Sequence, residues 1–265
     1  MVVADNPGVW SMSDPTGRTA LVTGASRGIG QAIAVRLAAQ GATVAVHFGT
    51  DAEGAAATVE EIEAGGGAAF AVAAQLGTDD DVETLFAGVE AGLAGRPLDI
   101  LVNNAAAAPA GPLGVTTRLE FDRLFAVNVR APYFVVQRAL PLLRDGGRII
   151  NVSSVATRMA TPAQTSFAMT KGAIETMSRT LANELGVRGI TVNAVAPGAT
   201  RTATNGASFE APGLAEFIAA ATALDRLGGP EDVADVVVFL ASDAARWITG
   251  QVIDASGGLF LGPRP

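Results

Sequence analysis

The chain has 265 residues, 49% of them hydrophobic, and a formal net charge of −8. That length suits one large α/β domain with a full core. The charge argues against a nucleic-acid or anionic-membrane surface. The lack of cysteine leaves no disulfide or thiolate chemistry, and a single histidine argues against a histidine triad or a zinc site; no metal is expected.

Residues 1–17 contain no basic stretch followed by an apolar run, so no signal peptide is expected. With Pro7, Gly8 and Pro15 they read as a loose arm. No apolar run is long and glycine-free enough to span a membrane, and the cytoplasm is the expected compartment.

The first strand is expected over Thr19–Thr23, bounded by Gly24. Gly24, Ser26, Arg27, Gly28, Ile29 and Gly30 then form a glycine-rich turn ahead of a helix from about Gln31 to Gln40. Strand, glycine turn and helix in that order make a cradle for a pyrophosphate. The glycines let the backbone approach the anion, and the helix start supplies free N–H groups and a positive dipole end. Thr43–Phe48 reads as the second strand. A helix from Asp51 to about Ala64 follows, with Asp51 as its cap and Gly65–Gly67 as its stop. Ala68–Ala74 is the third strand, leading into Gln75 and Leu76. A helix over Asp79–Leu93 begins with acidic residues that suit its dipole.

Leu98–Val102 is the fourth strand and runs into Asn103-Asn104-Ala105-Ala106. One long helix is expected over Thr117–Leu143, kinked near Pro132. Arg148–Val152 is the fifth strand and ends at Ser153-Ser154. A helix from about Ala163 to Val187 puts Phe167 and Lys171 on one face, four residues apart. Lys171 is the only lysine among 18 Lys+Arg. A lone ammonium in an arginine-using chain points to a role that needs a compact, tunable charge. Ile190–Val195 is the sixth strand and opens onto Pro197, Gly198, Thr200 and Thr202. A segment over about 201–223, with Asn205, Phe209, Phe217 and Ile218, reads as a substrate lid. Pro230–Leu240 is a helix, and the seventh strand ends at Asp254.

Seven strands alternating with helices predict a single doubly wound parallel sheet, Rossmann-like, with helices on both faces over residues 18–265. Right-handed crossovers place the Gly24 turn and the Asn103, Ser154 and Pro197 loops at one edge, the carboxyl ends of the strands.

The spacing Thr23-Gly24-x-x-x-Gly28-x-Gly30, the Asn-Asn-Ala segment at Asn103, and Ser154, Phe167 and Lys171 together resemble the short-chain dehydrogenase/reductase family. The resemblance covers nearly the whole chain. Its catalytic pattern is a serine, a tyrosine thirteen residues on and a lysine four further. Phe167 stands at the tyrosine position here, and the one tyrosine, Tyr133, lies elsewhere. Ala106 departs from the family's Asn-Asn-Ala-Gly, mildly unless its φ is positive.

The resemblance implies hydride transfer between a nicotinamide cofactor and a small carbonyl-type substrate. Ser154 would bond the substrate oxygen, Lys171 the nicotinamide ribose, and Asn128 a relay water. Gln75 and Leu76 would lie near adenine, with Asn103 and Ala105 along the cofactor. Pro197, Gly198, Thr200 and Thr202 would hold the carboxamide. An NAD-selective site carries a carboxylate at the end of the second strand. Phe48 stands there, and Arg27, helped by His47, can face a 2′-phosphate, so NADP(H) is expected over NAD(H). Relatives pair the helices over Phe125–Leu143 and Ser166–Val187 across two-fold axes, which implies a homotetramer.

Phe167 leaves three readings open. The chain is a ketoreductase in which phenylalanine replaces tyrosine to trap a complex. Or it is a natural variant acting on an imine or enone, or on a non-redox step. Or it binds NADPH with little activity, for regulation or assembly.

Overall fold

Strands with apolar side chains on both faces set the architecture. In the computed structural model, which describes residues 17–203 and 206–262, seven strands form one parallel sheet ordered β3-β2-β1-β4-β5-β6-β7. The strands are β1 Thr19–Val22, β2 Thr43–Phe48, β3 Ala68–Ala73, β4 Leu98–Asn103, β5 Leu143–Val152, β6 Thr191–Pro197 and β7 Val252–Ala255. The expected arm, apart from Gly17, and Asn205 of the expected lid lie outside the described residues.

Successive strand residues point to opposite faces, and the two cores follow that alternation. Ala20, Val22, Val44, Val46, Ile100 and Val102 join one core. It is completed by α1 (Gly28–Ala39) and α8 (Pro230–Ala241), through Ile33, Leu37, Val233 and Val237. Leu21, Ala45, Leu101 and Ile149 join the other. There Leu85 and Phe86 of α3 (Asp81–Leu93), Val135 of the helix Ala131–Ala139 and Leu185 of the helix Thr165–Leu185 close it. Parallel strands covered on both faces read as near-continuous apolar runs, which is the pattern of β1 and β4.

The chain steps outward from β1 to β2 and β3, then returns to place β4 on the other side of β1. This reversal opens a crevice beyond the carboxyl ends of β1 and β4, the usual ligand position in such sheets.

Two elements depart from the sequence reading. The long helix expected over Thr117–Leu143 is three pieces: α4 Arg118–Phe125, a π turn Ala126–Arg130, and α5 Ala131–Ala139. Pro132 at the start of α5 has no N–H to continue the ladder, and the register widens in the turn before it. β5 begins at Leu143, not Arg148. Leu143 pairs with Leu98, an excursion through Gly146 and Gly147 interrupts the register, and pairing resumes at Ile100 and Arg148. Asp51 caps α2 (Ala52–Ala64), its carboxylate accepting from the Gly54 N–H at 3.1 Å.

Candidate active site

The glycine turn between β1 and α1 is shaped by contacts that side chains would block. Gly24 has φ +64 and Gly28 φ +58, a region only glycine enters without strain. A Cβ on Gly30 would lie 2.1 Å from the Gly24 carbonyl oxygen. Ser26 and Ile29 between them are half-buried.

β4 anchors this turn. The Asn104 side-chain amide donates to the carbonyls of Thr23 at 2.9 Å and Gly24 at 3.0 Å. The N–H groups of Asn104 and Ala105 both donate to the Thr23 hydroxyl, at 2.9 and 3.0 Å. The clamping role of Asn104 was not legible in the sequence, since its partners lie about eighty positions away. Ala106 does not have a positive φ, so alanine is accommodated there without strain.

His47 corrects one expectation. Its Nδ1 accepts from the Gly24 N–H at 3.0 Å and its Nε2 lies 2.9 Å from the Ala74 carbonyl. Those partners fix the neutral tautomer with the proton on Nε2. Burial lowers its pKa, against a smaller raising effect of the Ala74 hydrogen bond. Both ring nitrogens are engaged by backbone, so none faces a phosphate; the histidine holds the glycine turn against β2 and β3. The Asn103 side chain is likewise internal. It donates to Asn151 at 2.8 Å, and Asn151 donates to Ser178 at 2.9 Å.

Arg27 is exposed beside the turn and lies 3.4 Å from Asp51. Gln75 is exposed at the end of β3, with Leu76 buried behind it. On the far side, β6 ends at Pro197. A Cβ on Gly198 would fall 2.8 Å from the Ser256 Cα, so this loop packs against the segment after β7. Thr200 is buried and bridges to Gly228. The Thr202 Cβ lies 3.3 Å from where a Cβ on Gly28 would be. The loop after β6 therefore crosses over the glycine turn.

Ser154 follows β5 directly and caps a 3₁₀ turn, Val155–Thr157, its Oγ accepting from the Ala156 N–H at 3.2 Å. With that lone pair engaged, its O–H is left to donate. Lys171 and Phe167 sit on α6 (Thr165–Leu185). The Lys171 Nζ donates to the Val152 carbonyl at 2.8 Å, two residues before Ser154, and lies 5.5 Å from the centre of the Phe167 ring. Lys171 is 4% exposed. Asn128, in the π turn, accepts from the Ala107 N–H at 2.7 Å and donates to the Thr170 hydroxyl at 3.3 Å. Thr170 donates in turn to the Phe167 carbonyl at 2.7 Å. The structure thus brings Asn128, Phe167 and Lys171 together around α6, with Ser154 at the strand end beside them.

Burial pushes the Lys171 ammonium from 10.5 down to about 8. Between those values the unfolded chain keeps a proton that the folded chain has released, so stability rises with pH through that window. Thermal melts from pH 7 to 10 should show the melting temperature of the parent rising relative to Lys171→Met. A difference that stays flat with pH overturns this.

Glu175, one turn beyond Lys171, was missed in the sequence. Its carboxylate accepts from the Ser153 hydroxyl at 2.7 Å and the Thr157 hydroxyl at 2.9 Å, tying both ends of the Ser154 turn to α6. Its spacing of four from Lys171 was the available signal.

Residues 24–260 match the family model described as enoyl-(acyl carrier protein) reductase. The versicolorin reductase stcU of Emericella nidulans is 43% identical, over 92% of this chain and 96% of that protein. The 3-oxoacyl-[acyl-carrier-protein] reductase FabG of Staphylococcus aureus is 40% identical, over 92% and 98%. The crystal structure of the angucycline C-6 ketoreductase LanV with bound NADP superimposes with a TM-score of 0.90 at 52% identity, covering 94% of this chain and 98% of LanV. LugOII, a promiscuous reductase that catalyses keto-reduction at C1 during lugdunomycin biosynthesis, also gives 0.90 at 52%, covering 94% and 100%. Motifs, sheet order and these likenesses agree, and the chain belongs to the short-chain dehydrogenase/reductase family.

Proposed function

We propose that the chain is an NADP(H)-dependent ketoreductase-type enzyme acting on a polycyclic polyketide ketone, with Phe167 standing where the proton-donating tyrosine belongs. The observation that carries this reading is the buried Lys171 ammonium, held on Val152 next to Ser154 and facing the Phe167 ring. The likeness to LanV, solved with NADP and rabelomycin, and to versicolorin reductase supports the substrate class.

The residues present fit the cofactor. Gly30, which has room for no Cβ, lets the start of α1 pack directly on the Gly24 main chain and the Asn104 amide, and the α1 N-terminus suits a pyrophosphate. β2 ends at Phe48, and Asp51, three residues on, turns one carboxylate oxygen to the α2 cap and the other to Arg27 at 3.4 Å, which favours NADP(H) over NAD(H). Arg27, with its side chain 57% exposed, would meet the 2′-phosphate. Lys171 would hold the nicotinamide ribose, and the loop from Pro197 to Thr202 the carboxamide.

A bound reduced nicotinamide would supply the hydride. Ser154 donates its O–H to the substrate oxygen and orients the carbonyl. Asn128 holds the π turn against α6 and keeps the Phe167–Lys171 face in place. Phe167 fills the volume of a tyrosine but carries no proton to give. That absence, with a family model described as an enoyl reductase, favours a second reading: reduction of a conjugated enone or imine, which needs less acid help. An NADPH-binding protein of low activity is the third.

Fluorescence titration should show NADPH binding more tightly than NADH, with Arg27→Ala erasing most of the difference. A tenfold preference for NADH would sink the cofactor assignment. NADPH oxidation against ketones, quinones, enones and imines tests the reaction; turnover of none of them, with NADPH still bound, selects the third reading.

A homotetramer is the assembly this reading favours. Tyr133 and Phe134 on α5 and Met169 on α6 leave apolar surface exposed, at 49%, 43% and 51%. Light scattering at micromolar concentration should give a mass above the monomer, and a monomer counts against it.

A further inference from the structure

We propose that Arg158 is a positioning residue that locks the Ser154 turn to the substrate lid by way of the segment after β7. The geometry is a chain of contacts. The Arg158 guanidinium donates to Asp254 at 2.7 Å, to the Leu259 carbonyl at 2.8 Å and to the Ser256 hydroxyl at 3.3 Å. Three partners on the six residues from Asp254, near the end of β7, to Leu259 fix that stretch against the loop carrying Ser154, and a planar fork does this where a single ammonium could not.

The same stretch is stitched to the root of the lid. The N–H groups of Ala223 and Leu224 donate to Gly258 and Gly257 at 3.2 and 3.1 Å, and that of Phe260 donates to Ala221 at 2.9 Å. Thr222 and Leu259 form an antiparallel bridge. The Phe260 ring lies 6.3 Å from that of Phe217, on α7 (Leu214–Ala220). Ser256 also packs against Gly198, so the loop after β6 shares the contact. The other side of the Ser154 turn is already held by Glu175 on α6. Arg158 therefore supplies the side-chain grip between the Ser154 turn and this segment. Closing α7 over a substrate and setting Ser154 against its oxygen become one event.

This rests on the ketoreductase reading for the meaning of Ser154 and for α7 as part of a substrate lid, so the test has one arm that needs no turnover. Phe217 is 61% exposed and reports on α7. In the full chain without cofactor, Arg158→Met is expected to speed chymotryptic cleavage after Phe217 about tenfold, because cleavage follows the population of the open form. Arg158→Lys keeps the charge but not the fork and should give a smaller increase. NADPH affinity should stay within about twofold, since Arg158 bonds neither the glycine turn nor the loop after β6 directly.

In the Phe167→Tyr background, Arg158→Met should raise KM for the ketone about tenfold with a smaller change in kcat, the split expected when an open lid reduces the competent fraction. Unchanged cleavage in both variants overturns the proposal. So does faster cleavage accompanied by lost NADPH binding, which is general destabilisation, or faster cleavage with KM unchanged. If no protein turns over any ketone, the cleavage arm alone decides for or against the lock, and that silence falls on the ketoreductase reading instead.

Discussion

Phe167→Tyr is expected to raise ketone reduction at least about a hundredfold, the usual scale of a positioned general acid. The ring is already in place, since Phe167 faces the Lys171 Nζ at 5.5 Å to its centre. A hydroxyl added at its tip would have an ammonium as neighbour, which favours the phenolate and brings the proton into use near neutral pH. NADPH affinity should barely move, because the glycine turn and Lys171 are unaltered. The gain should appear in kcat, as for an interaction made mainly in the transition state. Steady-state NADPH oxidation by both proteins on one ketone panel measures it. If the natural substrate is an enone or imine, the added hydroxyl would bring little, and turnover of that substrate would stay flat or fall. Strong ketone reduction by the unaltered chain would defeat the premise that a hydroxyl is needed there.

Gly30→Ala is expected to weaken NADPH binding about ten- to a hundredfold. The new methyl would sit 2.1 Å from the Gly24 carbonyl oxygen and 2.5 Å from the Asn104 amide nitrogen. Neither neighbour can yield cheaply. The Gly24 carbonyl is main chain, and the Asn104 amide is bonded to Thr23 and Gly24. The turn itself must shift, and overpacking of this kind costs ~1–3 kcal/mol, about ten- to a hundredfold in affinity if it falls on the bound state. NADPH titration of the purified variant would show the loss. The sheet should survive, which far-ultraviolet circular dichroism checks. Retained affinity would mean the turn does not carry the pyrophosphate.

Much of the site was legible because its motifs are local. β2 was read with its observed ends, and the strand–turn–helix order around Gly24 needed no tertiary information. Phe167 and Lys171 share a face simply because a helix repeats. What escaped depends on distant neighbours. His47 looked like a helper for a phosphate. Its true partners, the Gly24 N–H and the Ala74 carbonyl, belong to other elements, and only folding brings them to its two nitrogens. Arg158 gave no sequence signal, since its partners lie 96 to 101 positions later. Pro132 announced a kink, but periodicity cannot show that the disturbance settles one turn earlier as a π turn around Asn128. Nor could it place the start of β5, because Leu143 joins the sheet through a register shift at Asp145–Gly147.

The packing of α8 on α1 also governs how the molecule comes into being. The cofactor turn and α1 leave the ribosome long before α8. Yet Ile33 and Leu37 of α1 share their core with Val233 and Val237 of α8. β1 waits too, since its neighbour β4 is synthesised about eighty residues after it. A growing chain therefore carries one bare apolar face of α1 until α8 is made, the kind of transient surface that invites aggregation and engages chaperones. Long-range pairings of this sort also slow folding. The nucleotide cradle, though written into Gly24–Gly30, takes its final rigidity only once α8 has been added.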